Sequence, residues 1–170
     1  MIDTEFLRSL FPGIGEIPFE HRPPALILGL DMSEPYVRYA SRHLKRRSRI
    51  NFTVGNAESL PVPDESQHAV TSMFLFHELP PKVRRIVIRE CARVLKPGGR
   101  LVLVDSLQRG DQADYEGLLD LFPQNYHEPY YRSYIKEDFS SLATSFGLTH
   151  IRDVNAFVSK VMVFDKPATT

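Results

Sequence analysis

Ala25-Leu26-Ile27-Leu28-Gly29-Leu30-Asp31-Met32-Ser33-Glu34-Pro35 is the stretch on which the fold turns. Its apolar run ends at an acid and has the length of a buried strand, too short for a helix of ordinary size or a bilayer span. Ser33 is placed to cap a following helix, and Pro35 falls in the first turn, where its missing N–H costs nothing. Val37, Ala40 and Leu44 then mark an inner helical face. Arg42, Lys45, Arg46, Arg47 and Arg49 gather at the helix end, where cations oppose the dipole, so they read as a solvated helix terminus rather than a nucleic-acid patch.

The strand–helix unit recurs downstream. Ile50, Phe52 and Val54 alternate as a second strand and residues 69–75 form a third, with Pro61-Val62-Pro63-Asp64 as a turn between them. The spacing of Val83, Ile86, Val87, Cys91, Val94 and Leu95 predicts a helix over 81–95, stopped by Lys96-Pro97-Gly98-Gly99. A fourth strand follows at 101–104, helices are predicted over 111–121 and 137–146, and strands over 148–153 and 157–164. Only Val154-Asn155-Ala156 separates the last two strands. So short a link permits a hairpin and no helical crossover, which puts an antiparallel strand at a sheet edge. The expected class is α/β: a Rossmann-like, doubly wound, mostly parallel sheet with an antiparallel C-terminal edge hairpin.

Upstream, Phe6, Leu7, Leu10 and Phe11 fall at helical spacing. Pro12, Gly13, Gly15, Pro18, Pro23 and Pro24 then exclude a helix interior or a central strand. The division expected is an N-terminal arm over 1–24 and one domain over 25–167.

Composition narrows the function. The chain has 170 residues, 42% of them hydrophobic, enough for one core without staples. Lys plus Arg and Asp plus Glu are both 21, so no global field favours nucleic acid or an anionic membrane. The single cysteine, Cys91, excludes an intramolecular disulfide and reads as a small core residue. The six histidines lack zinc-site spacing, so no metal is expected. The start Met1-Ile2-Asp3-Thr4-Glu5 lacks a basic leader, and no apolar run reaches membrane-spanning length, so a cytoplasmic protein is expected.

In an open parallel sheet, ligands bind beyond the carboxyl ends of the strands. The residues there are Asp31-Met32, Gly55-Asn56-Ala57-Glu58, Met73 to Glu78, and Asp105-Ser106. Asp31 can accept both hydroxyls of a ribose, or it merely begins the turn and helps to cap the helix. Asn56 beside the small Ala57 suits an adenine edge, or is ordinary turn chemistry. His77 can serve as a general base or be a packed histidine. In Asn125-Tyr126-His127-Glu128-Pro129-Tyr130-Tyr131-Arg132-Ser133-Tyr134 the tyrosines either line a small-molecule pocket or form a lid packed on the core.

Taken together these residues resemble the class I S-adenosylmethionine-dependent methyltransferases, among them many small-molecule and quinone methyltransferases. Leu28-Gly29-Leu30-Asp31-Met32-Ser33 is similar to the family's second strand and its ribose-binding acid. Gly55-Asn56-Ala57-Glu58-Ser59-Leu60-Pro61 is similar to its adenine-contacting segment, Phe76-His77-Glu78-Leu79 to the turn after its fourth strand, and Arg93-Val94-Leu95-Lys96-Pro97-Gly98-Gly99-Arg100-Leu101 to its entry into the fifth. The resemblance implies S-adenosylmethionine as cofactor, held by Asp31, Met32, Asn56, Ala57 and Met73. It also implies methyl transfer to a small-molecule acceptor lined by His77, Asp105, Tyr130 and Tyr131. No fixed catalytic residue is implied, because such transfer is driven by positioning; for an acceptor that must lose a proton, His77 is the first candidate base and Asp105 the second.

Two differences from the family are Asn56, where it has Asp, and His68, where it has an acid. A larger one concerns the family's first strand and glycine-rich loop. Gly13-Ile14-Gly15 has no strand before it, and Pro18 follows where a helix should begin, so both features are expected to be missing. That strand is central, so its loss would leave the second and fourth family strands to pair directly or to accept a strand from another chain, leaving a homo-oligomer through sheet edges open. Without the loop the chain would hold only the adenosine half of the cofactor, and weakly. The alternative function is therefore a non-catalytic or truncated methyltransferase-like domain that acts in binding.

Overall fold

The computed structural model describes residues 25–43 and 49–169, which fall into two compact units divided after Pro61. The proposed arm over 1–24, Leu44 and the basic residues 45–47 lie outside the described residues.

In the first unit, β1 (Ile27–Asp31) pairs in parallel with β2 (Ile50–Val54), Ile27 opposite Ile50 and Asp31 opposite Val54. Between them runs α1 (Glu34–His43), with the acid Glu34 in its first turn and the bases Arg42 and His43 in its last. Gly29 lets the strands lie this way, because a Cβ there would come within 2.5 Å of the Phe52 ring. The sequence predicts β1 to be buried, and here the structure differs: Ile27 and Leu28 remain 50% and 44% exposed. Two strands and one helix do not suffice to enclose a sheet.

The second unit holds the core. Its sheet has the order β3-β4-β6-β5, from β3 (Gln67–Met73), β4 (Leu95–Ser106), β5 (Thr149–Ala156) and β6 (Ser159–Asp165). β3 and β4 are parallel, while β6 is antiparallel to both neighbours. The closing hairpin is therefore present, but its antiparallel strand lies one place in from the edge, which β5 occupies. Its turn is Phe157-Val158, with Phe157 at φ +56°, so residues 154–156 belong to the strand and not to the link.

β4 begins at Leu95 rather than at 101. Leu95 already pairs with Gln67, and the Gly98 N–H and Gly99 carbonyl bond the backbone of Lys166 at 2.8 Å each, so the Pro97-Gly98-Gly99 turn is stitched into the ladder. Only glycine fits. Gly98 has φ +77°, and a Cβ on Gly99 would meet the Lys96 carbonyl at 2.8 Å.

Helix α2 (Pro81–Val94) starts on a proline and turns Arg84, Val87, Ile88, Cys91 and Val94 into the core. Val83 and Ile86, expected inward, are half-buried. The predicted helix over 111–121 is displaced to α3 (Glu116–Asn125), because the Asp111 carboxylate is taken by the Gln108 N–H at 2.7 Å and by Lys160 at 2.8 Å. A short α4 (Tyr131–Tyr134) follows. Then α5 (Phe139–Thr144) is capped by Asp138 through the Ser141 N–H at 2.9 Å, and Gly147 lies beyond its end at φ +80°. No helix of the described residues is long and apolar enough to cross a membrane.

Candidate functional site

At the carboxyl end of β1, Asp31 is exposed, and its Oδ1 accepts the Ser33 N–H at 2.7 Å. The turn role is thus filled through one oxygen. A carboxylate has about four acceptor positions, so room remains for a diol. After β2, the Asn56 side chain closes its own turn: Oδ1 accepts the Glu58 N–H at 2.9 Å and Nδ2 donates to Glu58 Oε1 at 3.2 Å. Met32 and Asn56 are exposed and Ala57 is half-buried.

In the second unit, Met73 ends β3 with its side chain largely exposed. A 3₁₀ turn, Phe76–Glu78, follows. The Asp105 side chain organises this turn from the end of β4 and is only 1% exposed. Its Oδ2 accepts the Phe76 N–H at 2.8 Å, and its Oδ1 accepts the Ser106 N–H at 2.7 Å and lies 2.6 Å from His77 Nδ1. A carboxylate only accepts, so Nδ1 carries the hydrogen, and in the neutral ring the lone pair belongs to Nε2. Burial acts to lower the His77 pKa, but the Asp105 hydrogen bond and the charges of Asp105, Glu128 and Glu78 outweigh it and raise the pKa above 6.5.

Arg84 fixes the same turn from below. It is fully buried, and its Nε donates to the Phe76 carbonyl at 2.9 Å. Its other nitrogens reach Glu137 Oε2 at 3.1 Å and both the Tyr130 carbonyl and Ser133 Oγ at 2.9 Å. One guanidinium thus joins α2, the His77 turn and α4. The sequence pattern passes over it because a charged residue sits on an apolar stripe; its spacing of three from Val87 was the available signal.

The aromatic segment divides. Tyr131 and Tyr134 are buried and stand edge-on to the His77 ring, at centroid distances of 6.2 and 6.1 Å. The Tyr131 hydroxyl is 2.7 Å from Ser106 Oγ, and the Tyr134 hydroxyl donates to the Ser106 carbonyl at 2.5 Å. Tyr126 and Tyr130 are exposed. Of the four acceptor-lining candidates, then, Tyr130 and the Nε2 edge of His77 are open, whereas Asp105 and Tyr131 are enclosed behind them. Glu128, which pattern reading passes over, is half-buried and adds its charge to the same turn.

Residues 13–103, just over half of the chain, match the family described as "Methyltransferase domain", a match that includes Gly13-Ile14-Gly15. A demethylmenaquinone methyltransferase of Thermotoga maritima is 38% identical over 109 residues, 62% of this chain and 45% of that protein. A malonyl-[acyl-carrier protein] O-methyltransferase of Methylococcus capsulatus is 39% identical over 79 residues, 46% of this chain and 28% of that protein. The chain therefore spans less than half the length of these curated relatives. A solved S-adenosylmethionine-dependent methyltransferase of Methanosarcina mazei superposes with a TM-score of 0.57 at 19% identity, covering 84% of this chain and 82% of that one, and so shares the fold. On the extent of the family match, the chain belongs to the class I S-adenosylmethionine-dependent methyltransferase domain family.

Proposed function

We propose that the chain binds S-adenosylmethionine by its adenosine half, with the ribose on Asp31 and the adenine against Met32, Asn56 and Ala57, and transfers the sulfonium methyl group to a small-molecule acceptor. The observation that carries this reading is Asp31: an exposed acid at the carboxyl end of a parallel strand, with one oxygen engaged by its own turn and acceptor capacity left over. Relatives named as a demethylmenaquinone methyltransferase and a malonyl-[acyl-carrier protein] O-methyltransferase support a small acceptor in place of nucleic acid. The acceptor-side residues of this reading are Tyr130 and His77. On this reading Asp105, enclosed and holding the Phe76 N–H, the Ser106 N–H and His77 Nδ1, positions His77. A single enclosed thiol and balanced charge agree with a reducing, cytoplasmic setting.

The test is calorimetric titration of the 170-residue chain with S-adenosylmethionine and its demethylated product, alongside turnover. Measurable but weak binding is expected, since the adenosine half alone supplies the contacts. Micromolar or tighter affinity in a monomer would overturn the reading that no glycine loop is present and return Gly13-Ile14-Gly15 to that role. Absence of binding would overturn the proposal.

A further inference from the structure

The turn after β3 gathers three side chains that no part of adenosine binding uses. His77 Nε2 and one carboxylate oxygen each of Glu78 and Glu128 all lie within 4.8 Å of one another. His77 is 9% exposed, and among the described residues its Nε2 has no hydrogen-bond partner; the Glu78 Oε1 atom is 4.0 Å away, beyond hydrogen-bond reach. The ring cannot turn away to find one, because Nδ1 is held by Asp105, which is itself held by two backbone N–H groups. The Nε2 lone pair is therefore held beside two carboxylates. Pairing of the far imidazole nitrogen with a carboxylate is how proteins orient a metal-bound histidine and fix its tautomer.

The charge points the same way. Asp105, Glu78 and Glu128 surround one imidazole, and the nearby guanidinium of Arg84 is committed to Glu137 and to backbone and hydroxyl oxygens. We propose that His77, Glu78 and Glu128 hold a divalent cation such as Mn²⁺ or Zn²⁺. One imidazole and two carboxylates with no thiolate form a set for such ions. Ligands about 2.1 Å from an ion are roughly 3 Å apart when adjacent and about 4.2 Å apart when opposite, so a small rotation of the exposed Glu78 side chain closes the set. Three protein ligands leave coordination positions for water or for an oxygen of the acceptor, the arrangement of a reactive rather than a structural site. Cation binding here does not depend on the cofactor reading.

The experiment is titration of Mn²⁺ into the chelator-treated full chain, following the loss of the free-ion electron paramagnetic resonance signal, with adenosyl-cofactor binding measured on the same samples. One saturable ion per chain is expected. Glu78→Gln and Glu128→Gln, whose carboxylates make no hydrogen bond holding the fold, should each weaken it at least about tenfold, and Asp105→Asn roughly 10- to 100-fold. Circular dichroism of each variant separates a lost ligand from a lost fold. No saturable binding, or binding unchanged in both glutamine variants, would overturn the site. Cofactor binding that fails while Mn²⁺ binds would overturn only the cofactor reading.

Discussion

The Nε of Arg84 lies 2.9 Å from the carbonyl oxygen of Phe76, one residue before His77, so a fully buried cation in a helix sets the height of the turn on which the His77 imidazole sits. Arg84→Met should destabilise the second unit by about 3 to 5 kcal/mol, because it removes the cation paired with Glu137 and the side-chain bonds that tie the Phe76 and Tyr130 carbonyls to α2. Arg84→Lys should recover little, since an ammonium cannot reproduce the planar fork. Urea unfolding of both variants is the measurement; a loss under about 1 kcal/mol in Arg84→Met would show that the network is dispensable.

Asp31→Ala should weaken binding of the demethylated cofactor by about 1.5 to 3 kcal/mol, roughly 10- to 150-fold, the range for a charge-assisted hydrogen bond. Asp31→Asn, which can still accept the Ser33 N–H, should lose nearly as much, separating ribose recognition from the turn. Unchanged affinity in calorimetry refutes the assignment.

Cys91 should resist alkylation in the folded protein. Burial, aided by the charge of Glu90, pushes its pKa up to about 12, so almost no thiolate exists at neutral pH. Labelling with a chromogenic disulfide reagent should proceed only as fast as the chain unfolds and become rapid in denaturant. Fast labelling under native conditions would mean that the α2 face opens.

Asp138→Ala should cost about 1 kcal/mol at neutral pH through loss of the α5 cap. The Ser141 hydroxyl and then the Ser141 N–H hold the Asp138 carboxyl below its ordinary value. A depressed pKa contributes stability that is present above the unfolded value, near 3.9, and is lost as pH falls through the folded value. The gap between wild type and variant should therefore close on acidification below about pH 4. A gap that persists at low pH would assign the effect to packing.

Local chemistry made much of the fold legible. Pro81 at the helix start, the alternation through Ile50, Phe52 and Val54, and the Gly147 stop each act within a few residues, and the elements follow them. What escaped was set by distant partners. Residues 111–115 did not join a helix because Asp111 had been taken by Lys160, and residues 95–100 became a strand because Lys166 is laced to Gly98 and Gly99. In the candidate site, His77 and Asp105 could each be picked out by position at a strand end. Their 2.6 Å contact joins residues 28 apart in sequence, and no periodicity encodes it. Tyr131 and Tyr134 looked like Tyr126 and Tyr130 until the turn of α4 put the first pair inside.

The position of β6 between β4 and β5 carries a consequence in time. A chain emerging from the ribosome delivers β3, β4 and β5 before the strand that joins β4 to β5 in one ladder. Until residues 159–165 arrive, β4 presents a row of unpaired amides beside Leu101, Val102 and Leu103, the kind of edge that invites pairing with other chains. At about 5 to 20 residues per second, the hairpin residues after β5 reach this edge within seconds, and Lys166 then fastens the start of β4 with its own backbone. The second unit is closed last from its middle, so any delay before residues 159–165 can pair prolongs the exposure of that edge.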